Sequence, residues 1–129
     1  MRSCKAVFYI SCLLLILFLC TFSQAADGFI KDVSFHQNSD ASESVIFQLN
    51  GPYLPKAFAL KGEKPRVVFD FMDTQLLSVV PSTIVADGAM VEKIRMARYS
   101  EKIRVVLDLA TTGDVNFEQN YDDANNTLT

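Results

Sequence analysis

Residues 66–72 read Arg66-Val67-Val68-Phe69-Asp70-Phe71-Met72. Val67, Phe69 and Phe71 recur at every second position, with Arg66 and Asp70 between them. That is the period of a half-buried β-strand, whose side chains alternate between two faces. Ile103-Arg104-Val105-Val106-Leu107-Asp108-Leu109 has the same design. Ile103, Val105, Leu107 and Leu109 share a face, and Arg104 and Asp108 stand opposite. Both stretches are rich in β-branched and aromatic residues, which suit a pleated, half-buried surface. Ser44-Val45-Ile46-Phe47-Gln48-Leu49-Asn50 is a third such strand, with Val45, Phe47 and Leu49 together.

Weaker strands lie around these three. Ile30 to Phe35 alternates through Val33 and Phe35, and Ala57 to Leu60 places Phe58 and Leu60 on one face. Ser82 to Val85 forms a stub. Val91 to Tyr99 can turn Ile94 and Met96 inward and Lys93, Arg95, Ala97 and Tyr99 outward. Asp114 to Tyr121 offers Val115, Phe117 and Tyr121. Turn signals separate the runs: Asn50-Gly51-Pro52, Lys61-Gly62-Glu63-Lys64-Pro65, Asp87-Gly88, Thr112-Gly113-Asp114 and Asp122-Asp123-Ala124-Asn125-Asn126. No window carries a helical period. Short strands punctuated this often predict an all-β fold, a small sandwich of two sheets or a barrel.

The N-terminus is different. Arg2 and Lys5 precede fifteen uncharged residues, Ala6 to Cys20, with Leu13 to Leu19 at their centre, and Ser23-Gln24-Ala25 closes the run with small residues two apart. This is the build of a cleaved secretory signal peptide, residues 1–25. A retained membrane anchor would need roughly 20 apolar residues. A lipoprotein signal ending at Cys20 would need small residues before it, where Phe18 and Leu19 stand. All three cysteines, Cys4, Cys12 and Cys20, fall inside the signal, so residues 26–129 can form no disulfide and use no thiolate. The expected location is the periplasm, with no stable membrane span after cleavage. The 104 residues from Ala26 make one domain, large enough for a core without staples. They carry ten basic and fifteen acidic residues, a net charge of −5, which disfavours nucleic acid as a partner.

The chain also repeats itself. Val45 to Leu49, Phe58, then Arg66 to Phe71 forms a layout of strand, short strand, strand. Val105 to Leu109, Phe117, then Thr127 onward follows that layout about 60 residues later. The second copy stops where its third strand should begin. Thr127-Leu128-Thr129 is therefore expected to start a strand, either truncated or belonging to a longer chain.

The order Val33-Ser34-Phe35, Val45-Ile46-Phe47-Gln48-Leu49, Phe58-Ala59-Leu60, Pro65-Arg66-Val67-Val68-Phe69-Asp70-Phe71, Val91 to Tyr99 and Ile103 to Leu109 resembles the AMIN domain. That module stands at the N-terminus of periplasmic N-acetylmuramoyl-L-alanine amidases and in type IV pilus secretins. The resemblance runs from about Phe29 to the end. It implies a β-sandwich of two small sheets that binds or localises to the cell wall, targets a larger envelope protein, and performs no catalysis. Two features depart from the family: the final strand is missing, and Met96-Ala97-Arg98 stands where a Gly is usual. The alternative is docking by strand addition to an envelope protein such as a secretin or divisome component.

Chemistry-bearing clusters are sparse. His36 is the one histidine, and a catalytic zinc needs about three protein ligands; no metal or other cofactor is expected. Asp70 and Asp108 could resemble paired catalytic carboxylates, but ion pairs with Arg66 or Arg104 explain them better. No Gly-rich phosphate loop is present. The site expected to matter is basic and aromatic: Lys93, Arg95, Arg98 and Tyr99, with Lys102 and Arg104 nearby. Arg pairs with carboxylates through two hydrogen bonds, and Tyr presents a flat apolar face with a polar tip. Peptidoglycan offers both carboxylates and sugar faces. The competing reading is an exposed strand charged to prevent edge pairing.

Overall fold

The computed structural model describes residues 27–110 and 112–129. The expected signal peptide, residues 1–25, lies outside them. The described residues form ten strands: β1 (Gly28–Gln37), β2 (Glu43–Leu49), β3 (Lys56–Leu60), β4 (Arg66–Met72), β5 (Thr74–Leu76), β6 (Thr83–Val85), β7 (Val91–Arg98), β8 (Lys102–Leu109), β9 (Tyr121–Asp122) and β10 (Thr127–Leu128). They make two five-stranded sheets, ordered β5-β1-β2-β10-β9 and β3-β4-β8-β7-β6. The protein is an all-β sandwich, as the alternation predicts.

The inward residues are those the period selects. Val67, Phe69 and Phe71 of β4 and Ile103, Val105 and Leu107 of β8 are buried. They meet Ile30, Val33, Phe47 and Leu49 of the other sheet in one apolar cluster. Phe47 sits across the interface from two rings, with centroids 6.2 Å from Phe69 and 5.2 Å from Phe71, both tilted, which is the geometry aromatic quadrupoles favour.

The sequence repeat is a pseudo-twofold relation between the sheets. β1 pairs with β2 as β7 pairs with β8: Val33 opposes Phe47 and Phe35 opposes Val45, while Ile94 opposes Leu107 and Met96 opposes Val105. Both ladders carry a bulge at the same place, between Ile30 and Asp32 and between Val91 and Lys93. Each bulge lets two apolar residues three apart, Ile30 and Val33 or Val91 and Ile94, turn inward together. The loop bonds match as well. The Leu49 N–H donates to the Asn126 carbonyl at 2.8 Å, and the Leu109 N–H to the Pro65 carbonyl at 3.0 Å.

The third strands are exchanged between sheets. β4 lies beside β8, and its counterpart β10 lies beside β2. Thr127-Leu128 does begin a strand, and Leu128 is as buried as its counterpart Val67, each 2% exposed. One expectation needs correction. Val115 and Phe117 lie in no strand; pairing begins only at the end of that stretch, where Asn120 and Thr129 exchange backbone hydrogen bonds at 2.8 and 2.9 Å and β9 follows. Phe117 instead packs edge-on against Phe69, centroids 5.8 Å apart. β1 runs two residues past Phe35, so His36 is an exposed strand residue. Met96-Ala97-Arg98, where the family usually has a Gly, continues β7, with Met96 inward and Ala97 outward as the alternation predicts.

Candidate functional site: the outer face of the β3-β4-β8-β7-β6 sheet

The registers fix which side chains share the outer face of this sheet. Phe58, Val68, Val106, Arg95 and Thr83 form one row across the five strands. Leu60, Arg66, Asp108, Lys93 and Val85 form the next, and Lys56, Asp70, Arg104 and Ala97 lie on the other side of the first. Lys102 and Tyr99 extend the face at the β7–β8 turn, where the Tyr99 N–H donates to the Lys102 carbonyl at 2.9 Å.

Six cations therefore stand on this face, Lys56, Arg66, Lys93, Arg95, Lys102 and Arg104, against the carboxylates of Asp70 and Asp108. The carboxylates act as struts. Asp70 accepts two hydrogen bonds from Arg104, at 2.7 and 2.8 Å, and one from Lys102 at 3.1 Å. Asp108 accepts two from Arg95, at 2.6 and 2.9 Å. The expected ion pair of Asp70 with Arg104 is present; the partner of Asp108 is Arg95, from the neighbouring strand. The Arg104 hydrogen bonds hold the Asp70 carboxyl down at about 2 against the opposing effect of its burial, with Lys102 assisting. Arg95 lowers Asp108 in the same way, and each guanidinium is held above its ordinary value by its carboxylate. Asp70, Asp108, Arg95 and Arg104 are therefore all ionised at neutral pH, so none of the four is poised for proton transfer.

Each strut engages Nε and one Nη2 hydrogen of its arginine. A guanidinium has five donors, so three remain on each for another acceptor. Arg66 and Lys93 form no ion pair of 4 Å or less among the described residues. Aromatic rings flank the charges: the Arg104 guanidinium carbon lies 5.9 Å from the centroids of both Phe58 and Tyr99, and Lys102 Nζ lies 5.5 Å from that of Tyr99. These distances are within cation–π range.

Two depressions run along the face. One, of about 510 Å³, has Phe58, Leu60, Tyr99 and Arg104 in its walls and Val68 and Val106 in its floor. The other, of about 620 Å³, is bordered by Lys64, Lys93 and Asp108. Both reach Arg66 and Arg95, so these two arginines join them.

Of the residues expected from sequence, Lys93, Arg95 and Tyr99 come together here. Arg98 does not: it opposes Ile103, an inward position, and projects at the exposed end of β7 on the opposite side of the sheet. Arg66, Phe58 and Leu60 join the site from strands that sequence reading did not connect with it. Their own alternation puts them on one face, but only the lateral order β3-β4-β8-β7 brings that face beside Arg95.

The sequence model of the AMIN domain matches residues 32–125. The chain belongs to the AMIN domain family. AMIN domains are a non-catalytic family found in periplasmic proteins and associated with peptidoglycan or envelope proteins. Comparison with curated proteins and with solved structures returned no match. Among the described residues no group of three or more His, Cys, Asp or Glu could hold a metal ion, and no helix is long and apolar enough to cross a membrane.

Proposed function

We propose that this AMIN domain is a non-catalytic periplasmic module that attaches its protein to peptidoglycan through the outer face of the β3-β4-β8-β7-β6 sheet. The observation that carries the reading is the concentration of six cations and two exposed rings on one face of a chain whose net charge is −3. Stem-peptide carboxylates would meet the free edges of Arg95 and Arg66, already aimed because Asp108 holds Arg95 in place. Glycan faces would lie on Phe58 and Tyr99, which are 37% and 50% exposed. Prepaid orientation of a charged group lowers the ordering cost of binding.

Co-sedimentation of the chain from Ala26 with purified sacculi tests this, beside Arg95→Ala/Tyr99→Ala. Wild type is expected in the pellet at low salt and the double variant in the supernatant. Pelleting should weaken between 0.01 and 0.15 M salt, as the screening length falls from about 30 to about 8 Å. Equal pelleting of both proteins would move the site to another face. Failure of the wild type to pellet would end the wall-binding reading.

A further inference from the structure

Two matched rows of the sandwich carry different chemistry. In the β3-β4-β8-β7-β6 sheet, Arg66 and Lys93 stand on either side of Asp108, and Arg95 follows Lys93 on the same face of β7. Under the pseudo-twofold relation the same positions of the other sheet hold Thr127, Asp32, Gln48 and Ser34. There Thr127 Oγ1 donates to Gln48 Oε1 at 3.2 Å, and Asp32 is the only charged residue of the four. Neutral, hydrogen-bonded side chains complete that ladder, so the fold itself does not call for the charges of the first row.

Those charges are also left unspent. Both Asp108 oxygens are taken by Arg95, at 2.6 and 2.9 Å, which leaves Arg66 and Lys93 beside a carboxylate already engaged. Neither forms an ion pair of 4 Å or less among the described residues, and nor do Glu63 and Glu92. All four border the depression of about 620 Å³, together with Arg95. That volume suits a group of amino-acid size. An anion drawn to the cations would also approach Glu63 and Glu92, and juxtaposed like charges oppose binding. A group with both signs satisfies both sets.

We infer that this depression selects a zwitterion, the free end of the diamino acid in an uncross-linked stem peptide, which carries an ammonium and a carboxylate on one carbon. The inference rests on the wall-binding reading and names the ligand of that face. The carboxylate meets Arg66, Lys93 and the free donors of Arg95, and the ammonium meets Glu63 and Glu92. The adjoining depression, floored by Val68 and Val106, shares Arg66 and Arg95 and takes the glycan. Cross-linking turns the ammonium into a neutral amide and removes half of the match, so the domain prefers wall whose stems are still free.

The probe is a disaccharide-tripeptide muropeptide ending in meso-diaminopimelate, titrated calorimetrically into the chain from Ala26. Saturable binding is expected. Acetylating the free amine keeps every carboxylate and makes the ligand more negative, yet should weaken binding about tenfold. A site that merely attracts anions would hold the acetylated ligand at least as well; that result would overturn the inference, as would no binding. Glu63→Gln/Glu92→Gln should lose a similar factor for the free amine and become nearly indifferent to acetylation. An undiminished preference for the free amine in that variant would overturn the role of the two glutamates. Sacculi treated with acetic anhydride separate this inference from the reading beneath it. Weaker pelleting with treated than with untreated sacculi supports both. Equal pelleting overturns the inference and leaves wall binding standing, whereas no pelleting with untreated sacculi ends both.

Discussion

At the scale of single residues, Asp70 shows how a carboxylate on an outer face becomes structural. It is 8% exposed and carries three charge-assisted hydrogen bonds from Arg104 and Lys102. Its carboxyl is held at about 2 in the folded protein, chiefly by Arg104. A depressed carboxylate stabilises the fold above its unfolded pKa, near 3.9, and loses that contribution as pH falls toward the folded value. Asp70→Asn is therefore expected to cost about 2 kcal/mol at neutral pH. The gap between variant and wild type should close between about pH 5 and about pH 2 in urea unfolding. A gap that stayed constant with pH would show that the loss comes from packing rather than charge. Sequence alone marks Asp70 and Asp108 as bonded carboxylates, because each alternates with arginine on a strand. It does not choose their partners. Asp108 has Arg66 and Lys93 directly across from it and still takes Arg95, one diagonal step away, at 2.6 Å.

At the scale of elements, strands with a strict period of two could be read directly. β2, β4, β8 and the orientation of β7 follow from their residues alone. β5 and β9 could not be read, because Thr74–Leu76 and Tyr121–Asp122 are three and two residues long and have no local pattern. They are strands only because β1 and β10 stand beside them. Val115 and Phe117 alternate like a strand and find no partner, which shows that period alone needs a neighbouring edge to become a ladder. The bulge in β7 was also invisible, since Val91 and Ile94 are out of phase for a regular strand until one residue is looped out. The pseudo-twofold relation permits a matched comparison of elements. Val105→Ala removes two methylenes' worth of apolar volume from a fully closed site and is expected to cost about 2–3 kcal/mol. Val45→Ala removes the same volume from a half-open site and should cost about half of that. Equal losses in chemical denaturation would mean that Val45 is as fully enclosed as Val105.

At the scale of the whole molecule, the exchange of third strands decides how the chain must fold. The sequence shows two copies of one layout, and the simplest expectation is two similar halves, each closing on itself. The structure places β4, from the first copy, beside β8 of the second, and β10, from the second, beside β2 of the first. Phe47 then packs on Phe69 and Phe71 from the opposite sheet. Neither copy has a complete sheet or a closed core without the other. Unfolding should therefore be a single transition, coincident by far-ultraviolet circular dichroism and by tyrosine fluorescence, the chain having no Trp. A chain of residues 27–81, holding β1 to β5, should lack a cooperative transition. Its β4 would expose Val67 and Phe71, which are 2% and 0% exposed in the intact fold. Mixing it with residues 82–129 should restore the transition if the exchange is what holds the sandwich together. Pairings such as Gln48 with Thr127 span most of the chain, and closing loops of that length before any contact stabilises them slows folding. Refolding of the intact domain is accordingly expected in milliseconds to seconds rather than microseconds. A residue 27–81 fragment that folded alone would show instead that each copy is self-sufficient and that the exchange only joins two finished halves.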